Sequence, residues 1–148
     1  MDMCMEESAS EWFSALPCNG GIYRLIEKAG DVTNTQNRLS AMKALGVSGD
    51  PRAVRQLIAC CSDPDPLIRL HATEALRKLR SGRAVDALVE RLKDKSEQLQ
   101  TRHRAADALA TIRSYSAIEG LKNRSLDVEE DPLIRSYVAE VLDHSGTL

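Results

Sequence analysis

An arginine-centred pattern recurs four times along the chain, and this internal repeat constrains the fold more than any other feature. The pentapeptide Asp-Pro-Leu-Ile-Arg occurs at residues 65–69 and again at residues 131–135. Aligning the chain on such arginines gives steps of 31, 33 and 33 residues between Arg38, Arg69, Arg102 and Arg135. A period of roughly 20–50 residues is typical of proteins that stack one supersecondary unit on the next.

Small apolar residues follow each of these arginines at helical spacing. After Arg69 they are Ala72, Ala75 and Leu76, and the other copies place Ala, Val or Leu at the same offsets. Residues three and four apart lie on one face of an α-helix. In the three complete copies a second aliphatic segment starts 16 residues after the arginine, and an aspartate follows 9 residues later. Each unit is therefore predicted to be a pair of antiparallel helices.

The pentapeptide has the chemistry of a helix start. Its aspartate can cap the helix, its proline suits the first helical position, and its leucine and isoleucine would enter the core. The arginine, one turn into the helix, is predicted to reach an aspartate or a carbonyl between repeats. We therefore interpret the pentapeptide as structural rather than as a functional motif used twice.

Charge and composition exclude several classes of partner. The formal net charge of the 148 residues is −2, whereas nucleic-acid-binding modules usually carry a basic excess. No apolar run approaches the length of a membrane span or of a signal-peptide core. The four cysteines form no Cys-x-x-Cys pair, so reduced thiols are expected. These features predict a cytoplasmic protein with neither nucleic-acid nor membrane partners.

The period, the helix pair and the sequence Asp-Pro-Leu-Ile-Arg-x-x-Ala-x-x-Ala-Leu resemble the HEAT repeat, specifically the short HEAT-like type of phycobilisome lyase subunits. The resemblance implies an all-α fold, a right-handed α-solenoid of stacked antiparallel helix pairs with about nine helices. It also implies that first helices lie on the convex side and second helices line the concave side. The predicted helices span residues 6–16, 20–30, 35–46, 50–61, 65–79, 82–93, 97–112, 115–125 and 131–143.

The whole chain, residues 1–148, is predicted to be a single HEAT-like repeat domain. It divides into an N-terminal cap with a partial repeat, three full repeats and a C-terminal half repeat, at residues 1–34, 35–63, 64–94, 95–127 and 128–148. Terminal units of repeat proteins are usually atypical because they act as caps. Trp12 and Phe13 are predicted to cover the end of the first helix pair, with a homodimer contact through the caps as the alternative.

The resemblance raises two catalytic alternatives. Deoxyhypusine hydroxylase, a HEAT-like relative, holds a di-iron centre with His-Glu pairs, but here Ala, Arg and Ser follow the histidines His71, His103 and His144. The second alternative is a subunit of a bilin chromophore lyase-like complex, although the related lyases are longer and often work as two subunits. We therefore predict no catalytic residues, no metal ligands and no cofactor.

Two looser metal-binding pairs could each share a helix face, namely His71 with Glu74 and His103 with Asp107. In the repeat alignment His71 falls in one column with residues 40, 104 and 137, which is predicted to face outward. His103 belongs to a column rotated by about 100° from it. The two pairs are therefore not expected to converge on one ion.

The predicted second helices carry matched columns of residues between their core positions, and these columns run from basic to acidic along the stack. Eight of these residues are predicted to contact a partner on the concave face, namely Arg52, Arg55, Gln56, Arg83, Asp86, Glu90, Glu119 and Asn123. The alternative is a solvated face on which Arg55 and Asp86 merely pair, contributing little to stability. Gly120 interrupts a predicted helix interior, which indicates close approach of a backbone or a ligand.

The function that these features predict is a protein-interaction scaffold without catalysis, whose partner is another protein. An acidic segment of that partner is predicted to lie across Arg52, Arg55 and Arg83. Glu90 and Glu119 at the far end would repel such a segment and so set its direction.

Overall fold

The computed structural model describes residues 19–144, and this part of the chain forms eight α-helices and no strand. The helices are α1 (Asn19–Ala29), α2 (Thr35–Ser48), α3 (Val54–Cys60), α4 (Pro66–Leu79), α5 (Val85–Lys93), α6 (Leu99–Ile112), α7 (Tyr115–Leu126) and α8 (Pro132–His144). Short 3₁₀ turns at Pro51–Ala53 and Gly82–Ala84 lead into α3 and α5. The predicted all-α solenoid fold is confirmed. The first predicted helix, at residues 6–16, and the predicted cap residues Trp12 and Phe13 lie outside the described residues.

The helices form two layers. The first-helix layer consists of α2, α4, α6 and α8, each packed against the next. The second-helix layer consists of α1, α3, α5 and α7, and each of these packs along the first-layer helix that follows it in the chain. This arrangement is a stack of helix pairs, as the repeat predicted. No helix in the described part is both long and apolar enough to cross a bilayer.

The two first helices that carry the pentapeptide, α4 and α8, start with the predicted capping chemistry. The Asp65 carboxylate accepts a hydrogen bond from the Leu67 N–H at 2.9 Å, and Pro66 is the first residue of α4. At the second copy of the pentapeptide, Asp131 accepts from the Leu133 N–H at 2.8 Å. A side-chain acceptor satisfies an N–H that has no partner within the helix. The structural interpretation of the pentapeptide therefore agrees with its geometry.

Two of the second helices, α3 and α5, start later than the sequence predicts. Asp50 accepts from the Arg52 N–H at 2.9 Å, and Ser81 Oγ accepts from the Arg83 N–H at 3.2 Å. Each of these caps begins a 3₁₀ turn, and the α-helical hydrogen bonds follow only after that turn. Tighter 3₁₀ turns at helix N-termini are common.

Small side chains lie where neighbouring first-layer helices touch. Ala75 and Ala108 are buried, as the repeat pattern predicted. A Cβ atom added to Gly46 of α2 would lie 3.0 Å from the Ala75 Cα of α4, so the two backbones approach closely. In the second-helix layer, a Cβ atom on Gly120 would lie 2.7 Å from Val89 Cγ2. The close approach predicted at Gly120 is therefore one between α7 and the neighbouring α5.

The repeat arginines tie the units together through ion pairs. Each pair joins an arginine near the start of a first helix to an acidic residue in the turn after the next second helix. The pairs are Arg38 Nη1 to Asp63 Oδ2 at 2.9 Å, Arg69 Nε to Glu97 Oε2 at 2.7 Å and Arg102 Nη2 to Glu130 Oε2 at 2.7 Å.

Backbone carbonyls complete the contacts of these arginines. Arg38 Nε donates to the Ala29 carbonyl at 2.9 Å, and Arg102 Nε donates to the Leu92 carbonyl at 2.7 Å. Ala29 and Leu92 lie in the last turns of α1 and α5, where carbonyls lack helical partners. The prediction that the repeat arginine reaches an inter-repeat aspartate or carbonyl holds, with glutamate taking the place of aspartate in the two later units.

The cysteines of the described part contribute to the core. Cys60 and Cys61 are buried free thiols. Burial raises the pKa of Cys61 to about 12, against a smaller lowering effect of its contact with Thr73. A thiol with so high a pKa is protonated and unreactive at neutral pH.

Candidate functional site

The eight residues predicted to contact a partner all belong to the second-helix layer or to the 3₁₀ turns that lead into it. Along the chain from the turn before α3 to α7 they are Arg52, Arg55, Gln56, Arg83, Asp86, Glu90, Glu119 and Asn123. The structure gives Arg52 partners within the chain and places the three acidic residues around one cleft. The role of the set in binding stays a prediction.

Arg52 is engaged within the chain. Its guanidinium forms an ion pair with Asp50, with Nη2 2.6 Å from Oδ2. The same guanidinium lies over the ring of Tyr23, 5.2 Å from the ring centroid, which is the geometry of a cation–π contact. Arg52, which was predicted to bind an acidic segment of a partner, is therefore held by contacts with α1 and with the turn before α3.

The other predicted residues at this end are Gln56, Arg55 and Arg83. Gln56 Nε2 lies 3.7 Å from Cys60 Sγ, and the Gln56 amide also borders Gly30. Arg55 and Arg83 are exposed. The sequence left open a solvated face on which Arg55 pairs with Asp86. In the described part of the chain no ion pair joins these two residues.

Four of the predicted residues line one cleft between α5 and α7, here called the α5–α7 cleft. Its volume is about 370 Å³. The residues predicted to contact a partner that line this cleft are Asp86, Glu90, Glu119 and Asn123. Val85 and Val89 add apolar surface to the same cleft. Within residues 19–144 the three carboxylates have one ion-pair partner, Lys93, whose Nζ lies 3.3 Å from Glu90 Oε2. The cleft is thus apolar inside and acidic at its border.

Tyr115 also lines the α5–α7 cleft and is not among the residues predicted to contact a partner. Its side chain is 85% exposed at the first position of α7. The Ser114 hydroxyl accepts a hydrogen bond from the Ala117 N–H at 3.2 Å and so fixes this helix start. The repeat has Pro51 and Gly82 at the position of Tyr115. A lone aromatic at a helix start, in a chain with only 3% aromatic residues, was the available signal.

The model of the HEAT-repeat family matches residues 24–100, just over half of the chain. The chain is a HEAT-repeat protein. The matched region begins within α1 and ends at the start of α6. The HEAT repeat that the sequence predicted is thus confirmed.

Two solved structures resemble this HEAT-repeat protein. Human deoxyhypusine hydroxylase in complex with glycerol matches with a TM-score of 0.75 and 25% identity, over 86% of this chain and 44% of that chain. The complex of CpcE and CpcF of phycocyanin lyase from Nostoc sp. PCC7120 matches with a TM-score of 0.71 and 21% identity, over 95% of this chain and 59% of that chain. The chain thus spans about half the length of the chains it matches. No curated protein matches it in sequence.

The likeness to the hydroxylase calls for a test of whether the histidines of this HEAT-repeat protein fit a metal. His71 borders a cleft with Lys43 and Glu74. His103 instead stacks on Tyr137, with ring centroids 4.3 Å apart. Among residues 19–144, no three His, Cys, Asp or Glu side chains lie close enough to hold one ion. The residues present there do not fit the metal centre that the resemblance raised as an alternative.

Proposed function

We propose that this HEAT-repeat protein is a non-catalytic scaffold that binds a partner protein along its second-helix layer. The observation that carries the proposal is the α5–α7 cleft, which combines an apolar interior, three carboxylates and an exposed tyrosine. Apolar surface with a few convergent polar groups is the usual composition of a binding site. Stacked helix pairs build extended binding surfaces, and the likeness to the complex of CpcE and CpcF supports a protein as the partner.

The composition of the cleft favours a lysine or an arginine of the partner as its occupant. The aliphatic stem of such a side chain would pack on Val85 and Val89, since long basic side chains bury their stems and keep their heads in water. Its charged head would lie among the carboxylates of Asp86 and Glu119. The exposed ring of Tyr115 would add a cation–π contact.

The basic end of the layer extends the same proposal. Arg55 and Arg83 are exposed, whereas Arg52 is engaged by Asp50 and Tyr23. An acidic stretch of the partner across Arg55 and Arg83, followed by a basic residue in the α5–α7 cleft, would match the charge order of the layer. Such complementarity sets the direction in which a segment binds.

The alternative of a bilin chromophore lyase-like subunit rests on the likeness to the phycocyanin lyase complex. At 21% identity that likeness concerns the fold, and it assigns no chromophore contact to a residue of this chain. The predicted homodimer through the chain ends likewise stays a prediction.

Photo-crosslinking tests the proposed site. With the photoreactive residue p-benzoylphenylalanine in place of Tyr115, we expect a covalent adduct with a partner protein in cells of the native host. The same residue in place of Ser40, which is exposed on the first-helix layer, should give no adduct with that protein. Adducts at Ser40 alone would contradict the proposal.

Charge reversal of the cleft then tests its chemistry. The double variant Glu90→Lys and Glu119→Lys should bind the captured partner roughly tenfold more weakly, with an unchanged melting temperature because both residues are exposed. The matched control is Glu129→Lys with Glu140→Lys, which changes the net charge equally at exposed positions outside the cleft. Equal weakening by the two double variants would show that only net charge matters, and the site would be refuted.

A further inference from the structure

The four repeat arginines do not all have a carboxylate partner. Arg38, Arg69 and Arg102 each pair with an acidic residue in the turn after the next second helix, at 2.9, 2.7 and 2.7 Å. Arg135, the equivalent residue of α8, donates from Nη1 to the Val128 carbonyl at 3.3 Å. In the part of the chain that the structure describes, Arg135 forms no ion pair. The last described helix thus presents the cation that joins one unit to the next elsewhere in the stack.

Asp31, in the turn after α1, is the complementary group at the other end of the stack. The repeat alignment places it at the position of Asp63. The Asp63 Oδ1 accepts a hydrogen bond from the Asp65 N–H at 3.0 Å, which leaves Oδ2 for the ion pair with Arg38. The Asp31 Oδ1 likewise accepts from the Thr33 N–H at 3.0 Å, and Asp31 is exposed. Among the described residues no ion pair involves Asp31, so its turn has the geometry of the paired unit without the arginine.

The rest of the sequence offers neither group a side chain of opposite charge. Residues 1–18 contain no lysine or arginine, and residues 145–148 contain no aspartate or glutamate. Arg135 and Asp31 are also too far apart to pair within one chain, because three steps of about 8–10 Å between neighbouring helices separate α2 from α8. The two halves of an inter-unit ion pair therefore lie at opposite ends of the described stack.

The packing surface beside each group is also only partly covered. The residue four positions after the repeat arginine is fully buried in the three preceding units, where it is Met42, Thr73 or Ala106. Its equivalent in α8, Ala139, is half-buried. At the other end, Ala44 of α2 is half-buried, whereas its equivalent Ala75 is buried against Gly46 of the preceding first helix. Small residues at both ends leave room for the close helix packing that is found inside the chain.

We propose that copies of this chain associate head to tail through the inter-unit contact that repeats inside it. The helix α8 of one copy packs on α1 and α2 of a second copy, and Arg135 of the first copy pairs with Asp31 of the second. In this arrangement α1 of the second copy is the second helix that follows α8, so Asp31 lies in the turn that holds the acidic partner in the other units. A second copy is the occupant that the geometry favours, because it supplies both the complementary charge and the next helices in the register of the stack.

The proposed contact joins different surfaces of the two copies and is therefore heterologous. A pair of copies keeps one unused Arg135 and one unused Asp31, so further copies can be added and the extent of association depends on concentration. Both surfaces belong to the ends of the stack, and neither Arg135 nor Asp31 lines the α5–α7 cleft. Self-association thus leaves that cleft open to a partner protein.

Sedimentation equilibrium over a range of protein concentrations tests the proposal. The average mass of the unmodified chain should rise above the 16.3 kDa of one copy as the concentration increases. Arg135→Asp and Asp31→Arg should each weaken association about tenfold or more, because like charges then face each other. An equimolar mixture of the two variants should associate again, since the altered α8 of one variant meets the altered turn of the other with opposite charges.

The matched control is Lys78→Asp, which changes the net charge as Arg135→Asp does, at an exposed position of α4 away from both ends. It should associate as the unmodified chain does. Circular dichroism checks the folding of each variant. Should a charge reversal prevent folding, Arg135→Gln and Asp31→Asn replace it, because both keep hydrogen-bonding groups and should still weaken association.

An average mass that stays at 16.3 kDa throughout overturns the proposal. That is the result expected if the predicted cap with Trp12 and Phe13 covers α1 and α2 instead. Association that both single variants leave unchanged, that Lys78→Asp weakens equally, or that the mixture fails to restore also overturns it. No partner protein enters this experiment, so its outcome does not bear on the α5–α7 cleft.

Discussion

Arg102 and Glu130 form an ion pair of 2.7 Å in which the side chains are 2% and 0% exposed. Arg102 lies in α6 and Glu130 in the turn before α8, while Arg102 Nε also holds the Leu92 carbonyl at the end of α5. Arg124 of α7 adds a second contact to the Glu130 carboxylate, at 3.1 Å. The contacts of this buried ion pair thus link four consecutive helices, α5 to α8.

Removing one partner of this pair should destabilise the protein strongly. Glu130→Ala leaves the Arg102 guanidinium buried without its counter-charge, which typically lowers the free energy of unfolding by about 3–5 kcal/mol. Replacing both residues, as Arg102→Leu with Glu130→Leu, should cost less because no uncompensated charge remains. Urea denaturation measures both effects. The control is Glu90→Ala, because the exposed ion pair of Glu90 with Lys93 contributes little to stability. Equal urea midpoints for Glu130→Ala and Glu90→Ala would contradict the stabilising role given to the buried pair.

The stability of the chain should fall in acid because of Glu97 and Glu130. Burial by itself would raise the pKa of Glu97, but hydrogen bonds from Arg69, the Gln98 N–H and Arg91 together lower it. The pKa of Glu130 is likewise lowered, against its burial, by Arg102, the Asp131 N–H and Arg124.

A carboxyl group with a lowered folded-state pKa stabilises the fold above its unfolded-state value of 4.5. That contribution is lost as the pH falls through the lower folded-state pKa, because the unfolded chain then binds more protons. The urea midpoint should therefore decrease as the pH is lowered from about 5 to about 3. In Glu97→Gln the decrease should be smaller. A midpoint that is constant over this range would contradict the role given to these carboxylates.

Ala75→Arg should destabilise the contact between α2 and α4. Ala75 is buried against Gly46, and the two backbones leave no room for a larger side chain. Overpacking and the burial of an unpaired charge together should cost roughly 3 kcal/mol or more. Lys43→Ala changes an exposed residue of α2 and is the control. Thermal melts measure the difference, and coincident curves for the two variants would show that Ala75 does not lie at this interface.

Gly120 and Val89 should show coupled effects on stability. In the presence of Val89, Gly120→Ala places a Cβ atom 2.7 Å from Val89 Cγ2 and should destabilise the chain. In the background of Val89→Ala the same substitution should stabilise it, by up to about 1 kcal/mol, because alanine favours the helix over glycine. A double-mutant cycle in urea measures the coupling. Additive effects would mean that the close contact between α5 and α7 is absent.

The sequence by itself determined the repeat, the helices and the core. Neighbours in the sequence decide that Asp65 caps α4 and that Pro66 is its first residue. The burial of Ala75 follows from helical spacing. The repeat also predicted that Arg38 and its equivalents reach an aspartate or carbonyl, since an arginine at a fixed offset in every unit meets the same neighbours each time. Local chemistry and period are sufficient for these features.

Only the tertiary structure decided how the charged side chains are grouped. The repeat alignment predicted one basic surface formed by Arg52, Arg55 and Arg83. In the structure Arg52 contacts Asp50 and Tyr23 instead. The acidic residues line one cleft with Tyr115 between α5 and α7. Long side chains reach partners on neighbouring helices, and the rotation and spacing of those helices, which the packing of the whole stack sets, decide which partners lie within reach.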